Sequence, residues 1–199
     1  MLNRLLRFLS LSPRTSASLV ALATGAILAL PGGVRAQEGV SEALRFALDL
    51  VKAEQYEQAR PLLEEQAALG SAVAAYNVGL FHEFGKGGAV DLTSAMEHYR
   101  LAHEAGLPAA SFALGLLHLE GKLPDHLDYE HGRALITQAA IAEYAPAYPI
   151  LAILWLSGAG GEADLLRAHE WACAAGAAGE DLSVADLIAK RVSDEDRRC

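Results

Sequence analysis

Val, Ile and Thr are sparse in these 199 residues, whereas Ala, Leu and Gly dominate. β-Branched side chains suit a pleated sheet, and small or unbranched ones suit close helix–helix contacts, so the composition argues for helices. A membrane-spanning run is missing as well. The N-terminal stretch Leu19–Leu30 is uncharged and apolar but only 12 residues long, and a bilayer needs about 20. Catalytic signatures are equally scarce. No Ser-His-Asp or Cys-His set can be assembled, and Glu64, Glu65, Glu83 and Glu120 are not tied to one pocket by any motif. Gly85-Lys86-Gly87-Gly88 resembles a phosphate-binding loop, yet it lacks the required Gly-Lys-Ser/Thr spacing and follows a helical pattern instead of a strand.

The start of the chain does hold a clear pattern. Met1–Ser18 carries Arg4, Arg7 and Arg14 and no acid; the apolar run follows, then Pro31-Gly32-Gly33 and Val34-Arg35-Ala36. Basic, apolar and small-residue regions in that order predict a signal peptide over 1–36, cleaved before Gln37, and hence export to the periplasm without stable membrane insertion. No cysteine follows the apolar run to carry a lipid anchor. Removal of that segment leaves 12 basic residues against 25 acidic ones, a net charge of −13. Such a surface repels phosphate backbones and anionic lipid, which excludes nucleic acid as a partner and favours a protein with a basic patch.

The mature region repeats itself. Gly79, Gly115 and Ala152 are separated by 36 and 37 residues, and so are Gly85, Gly121 and Gly158. Asp91, Asp128 and Asp164 follow at 37 and 36, each trailed four residues later by a small residue: Ala95, Gly132 and Ala168. Several landmarks on one period mark a repeat architecture. Each unit reads as two helices. Phe112, Leu116 and Leu117 show helical spacing, the glycine clusters stop the first helix, and each Asp caps the second. Pro108 suits a helix start, whereas Pro146 and Pro149 together predict a delayed helix. Gly79, Gly115 and Ala152 read as close-packing positions.

These residues together resemble the Sel1-like repeat, a relative of the tetratricopeptide repeat. Val78-Gly79, Gly85, Gly87, Asp91, Ala95, Tyr99, Ala102 and Gly106 carry the resemblance in one unit. Leu114-Gly115, Gly121, Asp128, Ala139 and Ala140 carry it in the next, and Leu151-Ala152, Gly158, Gly160, Asp164, Ala168, Trp171 and Gly179 in the last. The sequence departs from the pattern where His82, His118 and Trp155 replace the usual Tyr, and where Glu143 replaces a usual Gly. The expected fold is all-α, a right-handed α-solenoid of antiparallel helix pairs. Its parts are a tetratricopeptide-like first pair over 37–70, three Sel1-like repeats over 71–179 and a C-terminal capping helix over 180–199. Leu182, Ala185, Ile188 and Val192 form the apolar stripe of that cap.

The resemblance implies a groove lined by first helices, which takes a protein or peptide. Arg45, Tyr76, Asn77 and Tyr148 are the expected groove residues; Asn77 matches an asparagine that contacts ligand backbone in tetratricopeptide grooves. Some Sel1-like proteins carry a disulfide pair in every repeat and are linked to β-lactam binding. This chain has only Cys173 and Cys199, so that activity does not transfer; a cell-wall or β-lactam hydrolase is the alternative function, disfavoured by the missing cysteine pairs and catalytic motif. If helices over 165–178 and 182–198 run antiparallel, the two cysteines stand about 18 Å apart, beyond the reach of a disulfide; a bridge requires the tail to fold back. His126, Asp128 and His131 offer metal-ligand types but no zinc spacing, and read as a charged loop, so no metal and no cofactor is expected. His82 and His118 are expected on neighbouring helices as interfacial imidazoles, with a pH-sensitive contact as the alternative. By analogy with small exported Sel1-like regulators, the chain is expected to be a non-enzymatic scaffold acting in envelope signalling or assembly.

Overall fold

A computed structural model describes residues 41–122, 126–180 and 188. The leader 1–36 and all of the cap except Glu180 and Ile188 lie outside the described residues. Ile188, from the expected apolar stripe, is fully buried. Among the described residues there are eight helices and no strand: α1 Glu42–Lys52, α2 Tyr56–Ala68, α3 Ala72–Phe84, α4 Leu92–Glu104, α5 Pro108–Glu120, α6 Tyr129–Ile141, α7 Ala147–Ser157 and α8 Leu165–Ala177.

Local chemistry sets the helix ends. Ser41 and Ser71 accept hydrogen bonds from the backbone N–H groups of Leu44 and Ala74, opening α1 and α3. The three repeated aspartates do the same for α4, α6 and α8, where Asp91, Asp128 and Asp164 accept from Ser94, His131 and Arg167. Each such cap contributes about 1 kcal/mol. α3 and α7 end on Gly85 and Gly158 in the left-handed conformation, at φ 66° and 73°, where a Cβ is costly. Glu143 adopts the same region at φ 60°, so the turn expected from glycine is made despite the side chain. Pro146 and Pro149 shorten α7 to 11 residues; it starts at Ala147, two residues later than the start of α5 at Pro108 would place it one 37-residue period on.

The chain divides into two compact units, with the boundary between Ala110 and Ser111. In the N-terminal unit, Leu44, Leu48 and Val51 of α1, Ala59 and Leu63 of α2, and Val78 and Phe81 of α3 share one buried cluster. Tyr56 meets Phe81 edge-on, with ring centroids 5.5 Å apart. Ser41 Oγ donates to Gln66 Oε1 at 2.6 Å, tying the start of α1 to the end of α2. α3 and α4 pack through Gly79, where an added Cβ would sit 2.5 Å from the Tyr99 ring. The Tyr99 hydroxyl donates to Glu83 at 2.8 Å.

The C-terminal unit repeats this device with smaller side chains. A Cβ on Gly115 would meet Ile136 at 3.0 Å, and one on Gly132 would meet Leu119 at 2.8 Å. Ala172 stands one further period on from Tyr99 and Ile136, and its first-helix counterpart is Ala152. Both alanines are buried. The first-helix position therefore carries a methyl group only where the second-helix residue has shrunk.

Candidate partner-binding site

Of the four expected groove residues, Arg45, Tyr76 and Asn77 fall in the N-terminal unit and Tyr148 in the C-terminal one. Arg45 is exposed on α1. Asn77 is 1% exposed and its Nδ2 donates to the Val73 carbonyl at 2.8 Å. Its amide nitrogen thus donates within its own helix. Tyr76 is 3% exposed, with its ring 5.6 Å from that of Tyr99; it packs α3 on α4. Tyr148, in the other unit, is half-buried against Trp171 at 5.7 Å. Cys173 is disulfide-bonded; Cys199 lies outside the described residues.

What the surface offers is charge. Residues 41–110 hold ten acids and five bases, and residues 111–180 hold nine acids and three bases. Glu42, Glu54, Glu57, Glu65 and Glu97 are all exposed in the first unit. Several cations, by contrast, are engaged at home. Lys52, Arg60, Arg100 and Arg167 pair with Asp49, Glu64, Glu104 and Asp164 three or four residues away. Each exposed pair contributes little stability, but together they leave the field outside the protein negative.

The arginine of one helix pair also grips the turn of the next, a feature that sequence reasoning missed. Arg60 on α2 reaches the Gly87 carbonyl at 3.5 Å and lies against the His82 ring, with Nη2 3.2 Å from Nε2. Arg133 on α6 reaches the carbonyls of Ala159 and Glu162 at 3.5 and 3.2 Å, and stacks 3.6 Å above the Trp155 ring. Arg60 and Arg133 stand 73 residues apart, two periods, and each ring lies 22 residues beyond its arginine. That spacing was available in the sequence as a signal.

His82 and His118 each pack against histidines of their own repeat. His82 stacks on His98 of α4 at 5.6 Å, with ring planes 9° apart. His118 packs against His131 at 4.7 Å and His126 at 6.3 Å, and its Nδ1 lies 3.0 Å from the His126 carbonyl. Burial first, and Arg60 second, hold the His82 pKa below its ordinary value. Burial and then His82 do so for His98. For His118 burial again dominates, against the raising effect of its bond to His126. Among the described residues, no group of His, Cys, Asp or Glu is placed to hold a metal ion, and no helix is long and apolar enough to cross a membrane.

This geometry has close counterparts among solved structures. A Sel1 repeat protein from Oxalobacter formigenes superposes with a TM-score of 0.65 at 22% identity, over 73% of this chain and 60% of that one. The protein c5321, a protective antigen present in uropathogenic Escherichia coli strains and displaying an SLR fold, superposes with a TM-score of 0.64 at 20% identity, over 75% of this chain and 37% of that one. The fold is that of the Sel1 repeat. The chain spans 60% and 37% of the lengths of these two proteins. No family model and no curated protein matches the sequence.

Proposed function

We propose that the chain is an exported scaffold that holds a protein partner through its acidic surface, in an envelope signalling or assembly system. Repeat proteins built of helix pairs bind peptides and other proteins. The observation that carries the reading is the exposed acid excess, with several cations turned to neighbouring carboxylates and to repeat turns. A field of that sign raises the encounter rate with a basic patch, an effect screened at high salt. Localisation in the periplasm rests on the basic–apolar–small pattern of residues 1–36.

The test is affinity capture from periplasmic extract with the purified chain as bait. The expected outcome is one basic protein, retained at low ionic strength and released at about 0.5 M salt, where the screening length is only a few ångströms. Reversal of Glu57, Glu65 and Glu97 to Lys should abolish retention without unfolding the helices. Capture of no specific protein, together with turnover of a cell-wall fragment, overturns the scaffold reading.

A further inference from the structure

We propose that Arg60, His82 and His98 form an acid-sensitive latch that fastens α2 to the α3–α4 pair. A guanidinium only donates hydrogen bonds, and so does an imidazolium. Arg60 Nη2 lies 3.4 Å from His82 Nδ1 and 3.2 Å from Nε2, so the guanidinium rests against the ring between its two nitrogens, and the contact is favourable only while His82 is uncharged. His98, stacked on His82, has its Nδ1 buried without a hydrogen-bond partner. Protonation there places an unsatisfied charged N–H in the interior, beside a second ring that is already next to a fixed cation. Both events weaken the same junction.

The surrounding charges do not cancel this. On α2, Glu64 is within reach, but its Oε1 accepts from Arg60 Nε at 2.9 Å. Beyond the turn, Asp91 raises the proton affinity of His82, yet its carboxylate already accepts from the Ser94 N–H and hydroxyl at 3.0 and 2.7 Å. Glu64 and, after it, Glu97 of α4 favour the charged form of His98, each more weakly than burial and His82 oppose it, and Arg60 opposes it as well. The net balance keeps both rings neutral at pH 7 and makes their protonation open the latch. The stakes are local: Arg60 Nη1 also meets the Gly87 carbonyl at 3.5 Å, so the Gly85–Gly88 turn loosens with it. In the other unit Arg133 covers Trp155, which does not titrate.

Hydrogen exchange of the whole chain tests this directly. The Lys86 and Asp91 amides close the turn by bonding to the carbonyls of Phe81 and His82, each at 2.9 Å. Their protection, corrected for intrinsic exchange, should fall at least about tenfold between pH 7.5 and 5.5, because each proton taken up on opening can change the opening equilibrium by up to about tenfold for every step of one in pH. The Asp164 amide, which bonds to the Trp155 carbonyl at 2.9 Å in the equivalent turn, should show no such fall. The double substitution His82→Tyr/His98→Leu, whose second member copies Leu135 one period on, should remove the pH dependence. NMR titration of the unaltered chain should place both imidazole midpoints below 6.5, the ordinary value, and this measurement stands even where the double variant does not fold. Midpoints at or above that value, or equal pH dependence at Lys86 and Asp164, overturn the latch.

Discussion

The two units use one joint with different chemistry. In each, an arginine from a second helix crosses to the next glycine turn and lies over the ring that precedes it: Arg60 on His82, and Arg133 on Trp155. The backbone beneath is also matched, since Gly87 faces the peptide of Tyr56 and Gly160 faces that of Tyr129. Position is shared and side-chain chemistry is not. A tryptophan face attracts a cation at every pH, whereas an imidazole does so only while neutral. Repetition thus preserves the space available at a joint, while the ring that fills it decides whether the joint responds to acid.

The largest separation between the units should come from the glycines. An ideal Cβ on Gly160 overlaps the Tyr129 carbonyl and lies 2.9 Å from Arg133 Cβ, at φ 76°; on Gly87 the nearest atoms stand at 3.0 Å. Gly160→Ala should cost about 3 kcal/mol and Gly87→Ala about 2 kcal/mol in urea unfolding. Equal losses would break the comparison. Gly79→Ala, driven against the Tyr99 ring, should cost about 2 kcal/mol, and Ala152→Gly, where the repeat already holds the methyl group, less than about 1 kcal/mol.

Arg133→Ala should cost about 1–2 kcal/mol through the lost Trp155 and carbonyl contacts, equally at pH 8 and pH 5.5. Arg60→Ala should instead cost less as pH falls, because removing the cation relieves its pressure on His82. Glu143→Gly should raise stability by about 1 kcal/mol by ending the left-handed strain at φ 60°, read as an increase in thermal midpoint. A further effect is that of pH on the unaltered chain. His82, His98 and His118 have lowered pKa values, so at acid pH the unfolded chain binds more protons than the folded one. Stability is complete above the unfolded value of about 6.5 and declines as pH falls through the folded values. A melting series from pH 8 to pH 5 should show this decline, and a rise on acidification would contradict it.

The repeat period, the aspartate caps and the glycine stops were legible because each is a local rule. A carboxylate three residues from an orphan N–H, or a glycine at positive φ, needs no partner from elsewhere in the chain. The burial of Tyr76 and Asn77 was not legible for a specific reason. α3 reads AVAAYNVGLFHEF and is apolar nearly all round, so its sequence carries no period that separates the buried face from an open one. Tyr76 and Asn77 went into the interior when α4 brought Tyr99 against Gly79. The paired histidines fall in the same class, since His82 and His98 lie 16 residues apart on different helices.

By itself, then, the sequence determined the kind of element, the period and the helix ends, because those follow from backbone geometry over three or four residues. Only the tertiary structure decided which small residue meets which ring, and that Arg60 faces His82 while Arg133 covers Trp155. Those outcomes depend on how helix pairs stack, and stacking is settled by shape and burial across about 20 or more residues of chain, where no local pattern reports it.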